Sequence, residues 1–123
     1  MTRIDANVIL RYLLADHPEH SKRAAEVIDH SSVFVAVEVL CEVVYVLRGI
    51  YSVKRMFITE KLIEFISLKT VNVDDDQVLT VALRTYSDLK IDFVDALLHA
   101  YKKVRGDSVF TFDQKLIKLM TAD

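Results

Sequence analysis

Short apolar runs rich in β-branched residues alternate along the chain with longer stretches in which apolar residues recur every three or four positions. That alternation predicts a parallel sheet wrapped by helices. Thr2 to Asp5 reads as a first strand and Asn7 to Leu14 as a helix. The Asp16-His17-Pro18 turn then starts a second helix, with Asp16 or His17 as cap, proline in its first turn, and Ala24, Ala25, Val27 and Ile28 as its buried stripe. Val33 to Ala36 is continuous, β-rich and bounded by Ser31-Ser32, which predicts a buried strand. Helices follow from about Val37 to Ile50 and from about Lys54 to Leu68. The second of these carries Phe57, Ile58, Leu62, Phe65 and Ile66, more apolar surface than one core-facing stripe needs. A third strand, Thr70 to Val73, leads into Asp74-Asp75-Asp76. These acids precede the helical pattern Val78, Leu79, Ala82, Leu83, Tyr86, so they read as capping and helix-dipole residues rather than a metal cluster. Phe93 to Val104 reads as helix, Ser108 to Thr111 as a fourth strand and Gln114 to Met120 as a closing helix.

Composition narrows the picture. With 123 residues and 52% hydrophobic content, the chain has material for one sizeable core, and a single domain over 1–123 is expected. Only Gly49 and Gly106 are glycines, which excludes a glycine-rich phosphate loop. The one cysteine, Cys41, cannot form an internal disulfide and fits a reducing cytoplasm. The most apolar stretch, Val33 to Leu47, is broken by Glu38 and Glu42, and no charged, then apolar leader opens the chain, so a soluble protein with no membrane contact is expected. Sixteen Lys and Arg against eighteen Asp and Glu give a net charge of -2, so any nucleic-acid contact must be local.

In an open parallel α/β sheet, ligands bind beyond the carboxyl ends of the strands. Asp5 ends the first predicted strand and Asp113 the fourth. Glu42 lies one turn into a helix among Leu40, Cys41, Val43 and Val44, where a charge is costly without a partner, and Asp95 occupies the first turn of its helix. Four converging carboxylates repel one another, and a hard dication, Mg²⁺ or Mn²⁺, resolves that repulsion. Each acid also has a structural reading: Asp5 and Asp113 as caps, Glu42 as partner of Arg48 or Arg11, Asp95 as a dipole-stabilising residue.

Ile4-Asp5-Ala6-Asn7-Val8-Ile9-Leu10-Arg11-Tyr12-Leu13-Leu14, Val39-Leu40-Cys41-Glu42-Val43-Val44-Tyr45-Val46-Leu47, Asp92-Phe93-Val94-Asp95-Ala96-Leu97-Leu98 and Thr111-Phe112-Asp113 together resemble a PIN domain, in the family's order and over nearly the whole chain. The resemblance implies a three-layer α/β/α fold around a central parallel sheet of four to five short strands. It also implies a metal-dependent ribonuclease, the toxin of a VapC-type pair silenced by a VapB-like antitoxin, with a homodimer as a common state. By position Asp5, Glu42, Asp95 and Asp113 match the family's metal-binding acids and catalytic residues. Asn7 matches a polar residue supporting the first acid, and Thr111 resembles the hydroxyl residue before the last. Ala6 departs from the pattern, since the family usually carries Ser or Thr there.

Asp92, three residues before Asp95, reads as a helix cap or a supporting residue, Glu38 as a first-turn dipole partner and His99 as a packed histidine. Arg11, Arg48, Lys54, Arg55, Lys90, Lys102, Lys103 and Arg105 are the cations available to an RNA backbone. Two other readings remain: a catalytically degenerate PIN-like nucleic-acid-binding or scaffold domain, and a receiver-like module with a phospho-acceptor aspartate after a central strand.

Overall fold

The chain enters on β1 (Thr2–Arg3) and turns at once into α1 (Ala6–Leu14), because Asp5 takes an extended backbone and its Oδ1 accepts the Val8 amide at 3.0 Å. A computed structural model describes residues 1 to 122. α2 (Pro18–His30) starts the same way, with His17 as N-cap accepting the His20 amide and Pro18 in the first turn. Then come β2 (Val33–Phe34), α3 (Val37–Gly49), α4 (Arg55–Ile66) and β3 (Val71–Asn72). The three strands form a parallel sheet in the order β1-β2-β3, with Thr2 opposite Val33 and Val33 opposite Val71. Amides just outside the ladder prolong it: Ile4 N donates to Phe34 O at 3.3 Å and Val35 N to Asn72 O at 2.9 Å. The Asn72 amide nitrogen binds the Val33 carbonyl at 3.0 Å and so locks the outer strand to the central one.

The contacts fall into two compact units, one over Met1–Asp74 and one from Asp75 on. In the first, the fully buried Val33 and Val35 of the central strand share a core with Ile9, Ile28, Leu40, Val43, Leu62 and Phe65. Of the stripe expected on α2, Ala24 and Ile28 are buried, whereas Ala25 is half-buried and Val27 is exposed. On α4 Ile58, Leu62, Phe65 and Ile66 are buried while Phe57 and Met56 face solvent, so the surplus apolar surface of this helix is concentrated in its first turn.

The second unit is helical. Asp75 caps α5 (Asp76–Leu89) by accepting the Val78 amide at 3.1 Å, in line with the capping expected of the aspartate run, and its other oxygen lies 3.9 Å from Arg105 Nη1. α6 (Phe93–Arg105) packs on α5 along a seam, and the small residues Ala82, Ala96 and Ala100 of the two helices are fully buried. Tyr86 and Phe93 close the seam edge-to-face, with ring centroids 5.8 Å apart. α7 (Gln114–Ala122) lays Leu116 and Met120 against α6.

The expected fourth strand does not form: among the described residues Ser108 to Thr111 joins no ladder. The strand-like alternation is present, but inverted with respect to burial. Val109 and Thr111 are half-buried, while Phe110 and Phe112 are each 85% exposed and meet each other edge-to-face at 5.2 Å. Two large rings turned to solvent remove the apolar reward that would fix such a short segment in a sheet. The sheet therefore has three strands where four to five were expected.

α1 and α5 end on Ala15 (φ 51°) and Lys90 (φ 55°), both left-handed, whereas α6 ends on Gly106 (φ 73°). No helix among the described residues is long and apolar enough to cross a membrane.

Candidate active site

Asp95 stands on the first turn of α6, half-buried, three residues after Asp92 at the N-cap position. With Asp113 these two aspartates line one cavity of about 280 Å³ in the second unit, to which Lys90 and Lys115 also contribute. Burial, and then the negative charges of Asp92 and Asp113, push the Asp95 carboxyl above its ordinary range. Three carboxylates sharing a cavity with two lysines make a place where positive charge is stabilised. The donors are all oxygens, which suits a hard dication that retains part of its water shell. Among the described residues, however, no group of three or more His, Cys, Asp or Glu side chains stands close enough together to hold a metal ion.

Asp113 serves two ends. Its Oδ1 accepts the Leu116 amide at 3.0 Å, capping α7, and its own amide donates to Thr111 Oγ1 at 3.1 Å. Thr111 thus fixes the turn that leads into α7. Asp92 occupies the N-cap position of α6 but its side chain does not cap the helix. His99 is buried, a packed histidine as read from the sequence.

In the first unit, Asp5 is exposed and uses Oδ1 for the α1 cap. Asn7 is exposed on the first turn of α1, and Ala6 between them is buried at 4% exposure, a closed position with no hydroxyl. Glu42 corrects the reading of its surroundings. Although its neighbours Val43 and Val44 are buried, Glu42 itself is exposed on the opposite face of α3, with Glu38 one turn earlier. Successive helix positions are about 100° apart, so an acid flanked by core residues need not be buried. Neither arginine once matched to it is available: Arg11 pairs with Asp16 at 2.8 Å, and Arg48 donates to the Val53 carbonyl at 3.3 Å. The receiver-like reading is not supported, because the central strand β2 runs on into Val35-Ala36-Val37 with no acceptor aspartate.

Sequence reading did not single out Lys115, which lines the acidic cavity. Its signal is its place two residues after Asp113, on the exposed side of α7.

The raised carboxyl makes a prediction about stability. A carboxyl whose folded-state acidity is weakened favours folding only while protonated, so its contribution is lost as pH rises through the folded value. Charged Asp95 therefore costs stability at neutral pH. Asp95→Asn is expected to raise the melting temperature at pH 7 by about 1–3 °C, a few tenths of a kcal/mol after solvent screening. The gain should disappear below the ordinary carboxyl value of 3.8. Thermal melts of both proteins across pH 3–8 check it.

The PIN domain family profile matches residues 3–120, spanning both units. No curated protein and no solved structure matches the chain. With nearly its whole length matched, and with a carboxylate-lined cavity on the helix that bears the Asp92-Phe93-Val94-Asp95 motif, the chain belongs to the PIN domain family, a family of nucleases that generally use divalent metal ions.

Proposed function

We propose that this protein is a Mg²⁺- or Mn²⁺-dependent endoribonuclease and the toxin of a VapBC-like pair. The observation that carries the nuclease reading is the cavity in which burial, and then the charges of Asp92 and Asp113, push the Asp95 carboxyl above its ordinary range. Asp5, Glu42, Asp95 and Asp113 are the acids we assign to metal binding and catalysis, with Asn7, Asp92 and Thr111 supporting them. A divalent ion supplies charge to stabilise the phosphoryl oxygens as they become more negative. Asp95 takes a proton from the attacking water as it approaches in line with the leaving oxygen. Its raised value makes it a stronger base than an ordinary aspartate. Lys90 and Lys115 at the cavity rim attract the RNA backbone to an otherwise acidic site.

The toxin and partner readings rest on the resemblance to VapC-type proteins. An exposed apolar run through Ile50, Tyr51, Met56 and Phe57, from the end of α3 into α4, supports a contact with a second copy or with a VapB-like antitoxin helix. A degenerate, RNA-binding PIN-like domain is the second reading. It is favoured by the lack, among the described residues, of three acids close enough to bind an ion directly.

A metal titration separates the two. Single-stranded RNA incubated with the protein should be cut when Mn²⁺ or Mg²⁺ is added and spared in EDTA, and Mn²⁺ should raise the melting temperature by about 2 °C or more at saturating concentration. RNA left intact, with no thermal response to Mn²⁺, would establish the degenerate reading.

A further inference from the structure

A cavity of the first unit, about 480 Å³, differs in character from the acidic cavity of α6. Ile4, Val8, Ala24 and Val27 supply its apolar lining. Its charged lining is Arg3, Arg11 and Arg23 against the single carboxylate of Asp5. Asp16 meets the charge of Arg11, so Arg3 and Arg23 against Asp5 leave this concavity a local positive excess in a chain whose net charge is -2. On α2, His20, Arg23, Ala24 and Val27 follow the i, i+3, i+4, i+7 spacing of one helix face. This accounts for Val27, expected in the core and found 37% exposed: it belongs to the cavity wall.

Two of the arginines are already oriented. Arg3 lies over the Phe34 ring with its guanidinium carbon 4.5 Å from the centroid, which fixes the plane and leaves its N–H edge to donate. Arg11 donates through Nη1 to Asp16 and through Nη2 to the Tyr51 hydroxyl, at 2.8 and 3.1 Å. Its Nε is buried and has no partner among the described residues.

We infer that this cavity is a nucleotide subsite, taking one unstacked base against Val8, Ala24 and Val27 and an adjacent phosphate on the arginines. The inference rests on the nuclease reading, since Asp5 in the same lining is an acid assigned to cleavage, and an RNA strand passing Asp5 runs along these cations. Guanidinium forks match phosphate oxygens, and the apolar lining is reached only by a base free of a duplex, so the ligand is single-stranded RNA.

The test is binding of a fluorescein-labelled RNA hexamer, followed by anisotropy in EDTA so that no cleavage intervenes. Arg23→Ala is expected to weaken binding about tenfold and to lower the slope of log affinity against log salt by about 0.7. Arg23→Lys keeps the charge without the fork and should recover the slope but only about half of the logarithmic loss. Val27→Asp places a negative charge in the apolar lining and should weaken binding by about tenfold or more. Lys22→Ala, an exposed cation on α2 outside the lining, should change it less than about twofold. Equal losses in Lys22→Ala and Arg23→Ala, or no loss in both Arg23→Ala and Val27→Asp, overturn the subsite. So does an acetylated peptide with a free carboxyl terminus that outbinds the hexamer and loses affinity in Arg23→Ala. If the binding pattern holds but no divalent ion elicits cleavage, the subsite stands and the nuclease reading falls; cleavage with unaltered binding in the variants is the reverse.

Discussion

Asp5→Asn is expected to lower divalent-ion-dependent RNA cleavage by on the order of 10²–10³-fold, the scale of removing one electrostatic contributor to a transition state. The same substitution should move the melting temperature by less than about 2 °C, because Asn is as good an N-cap as Asp. The amide oxygen can take over the Val8 N–H that Oδ1 accepts at 3.0 Å, so the helix start survives while the charge disappears. Asp5→Ala separates the two roles from the other side: it loses the cap as well, at about 1 kcal/mol. Steady-state cleavage of a single-stranded RNA, together with thermal melts of the three proteins, decides the matter. Wild-type cleavage in Asp5→Asn would leave Asp5 as a cap and nothing more.

The largest structural effect is expected at Phe93. It is 1% exposed, begins α6 and meets Tyr86 across the α5–α6 seam, so Phe93→Ala removes a ring from a place the small seam residues cannot refill. Truncations of this kind cost about 3–5 kcal/mol. In a domain of this size that corresponds to a fall of more than about 10 °C in melting temperature. Because Asp92 and Asp95 flank Phe93, RNA cleavage should fall at temperatures below the onset of melting as well. Phe93→Leu, which keeps most of the volume, should restore much of both. Chemical denaturation measures the first effect, and cleavage assays at 10–20 °C the second.

Most of the fold is legible in the sequence wherever periodicity and end signals agree. His17-Pro18 and Asp75 mark helix starts that the structure bears out, and the helices over Val37–Gly49, Asp76–Leu89 and Phe93–Arg105 lie where apolar spacing puts them. What could not be read is the orientation of residues within a pattern. Ser108 to Thr111 alternates as a strand does, but alternation cannot tell which side is covered, and here the phenylalanines face water. Glu42 misled by its neighbours for a related reason, since linear flanks say nothing about a side chain on the far face of a helix. The acids, Asp92 beside Asp95 among them, were legible as candidates, yet only the structure shows that burial, and then the charges of Asp92 and Asp113, raise the Asp95 carboxyl. The arginine-lined cavity escaped notice altogether. Arg3, Arg11 and Arg23 belong to three different elements, and no linear motif joins them.

Lys90 shows where this protein accepts a less stable backbone. A non-glycine residue in the left-handed region costs about 1–2 kcal/mol, and a chain with only two glycines bears that cost at Ser52 and at two helix ends, Ala15 and Lys90. The two positions differ in what an exchange would forfeit. Ala15→Gly relieves the strain and touches no cavity described for this chain, so an engineer seeking a hardier nuclease would start there. At Lys90 glycine would also relax the helix end, but it would delete a cation from the rim of the acidic cavity. On the proposed function, the lysine at this left-handed position trades durability for the capture of a polyanion.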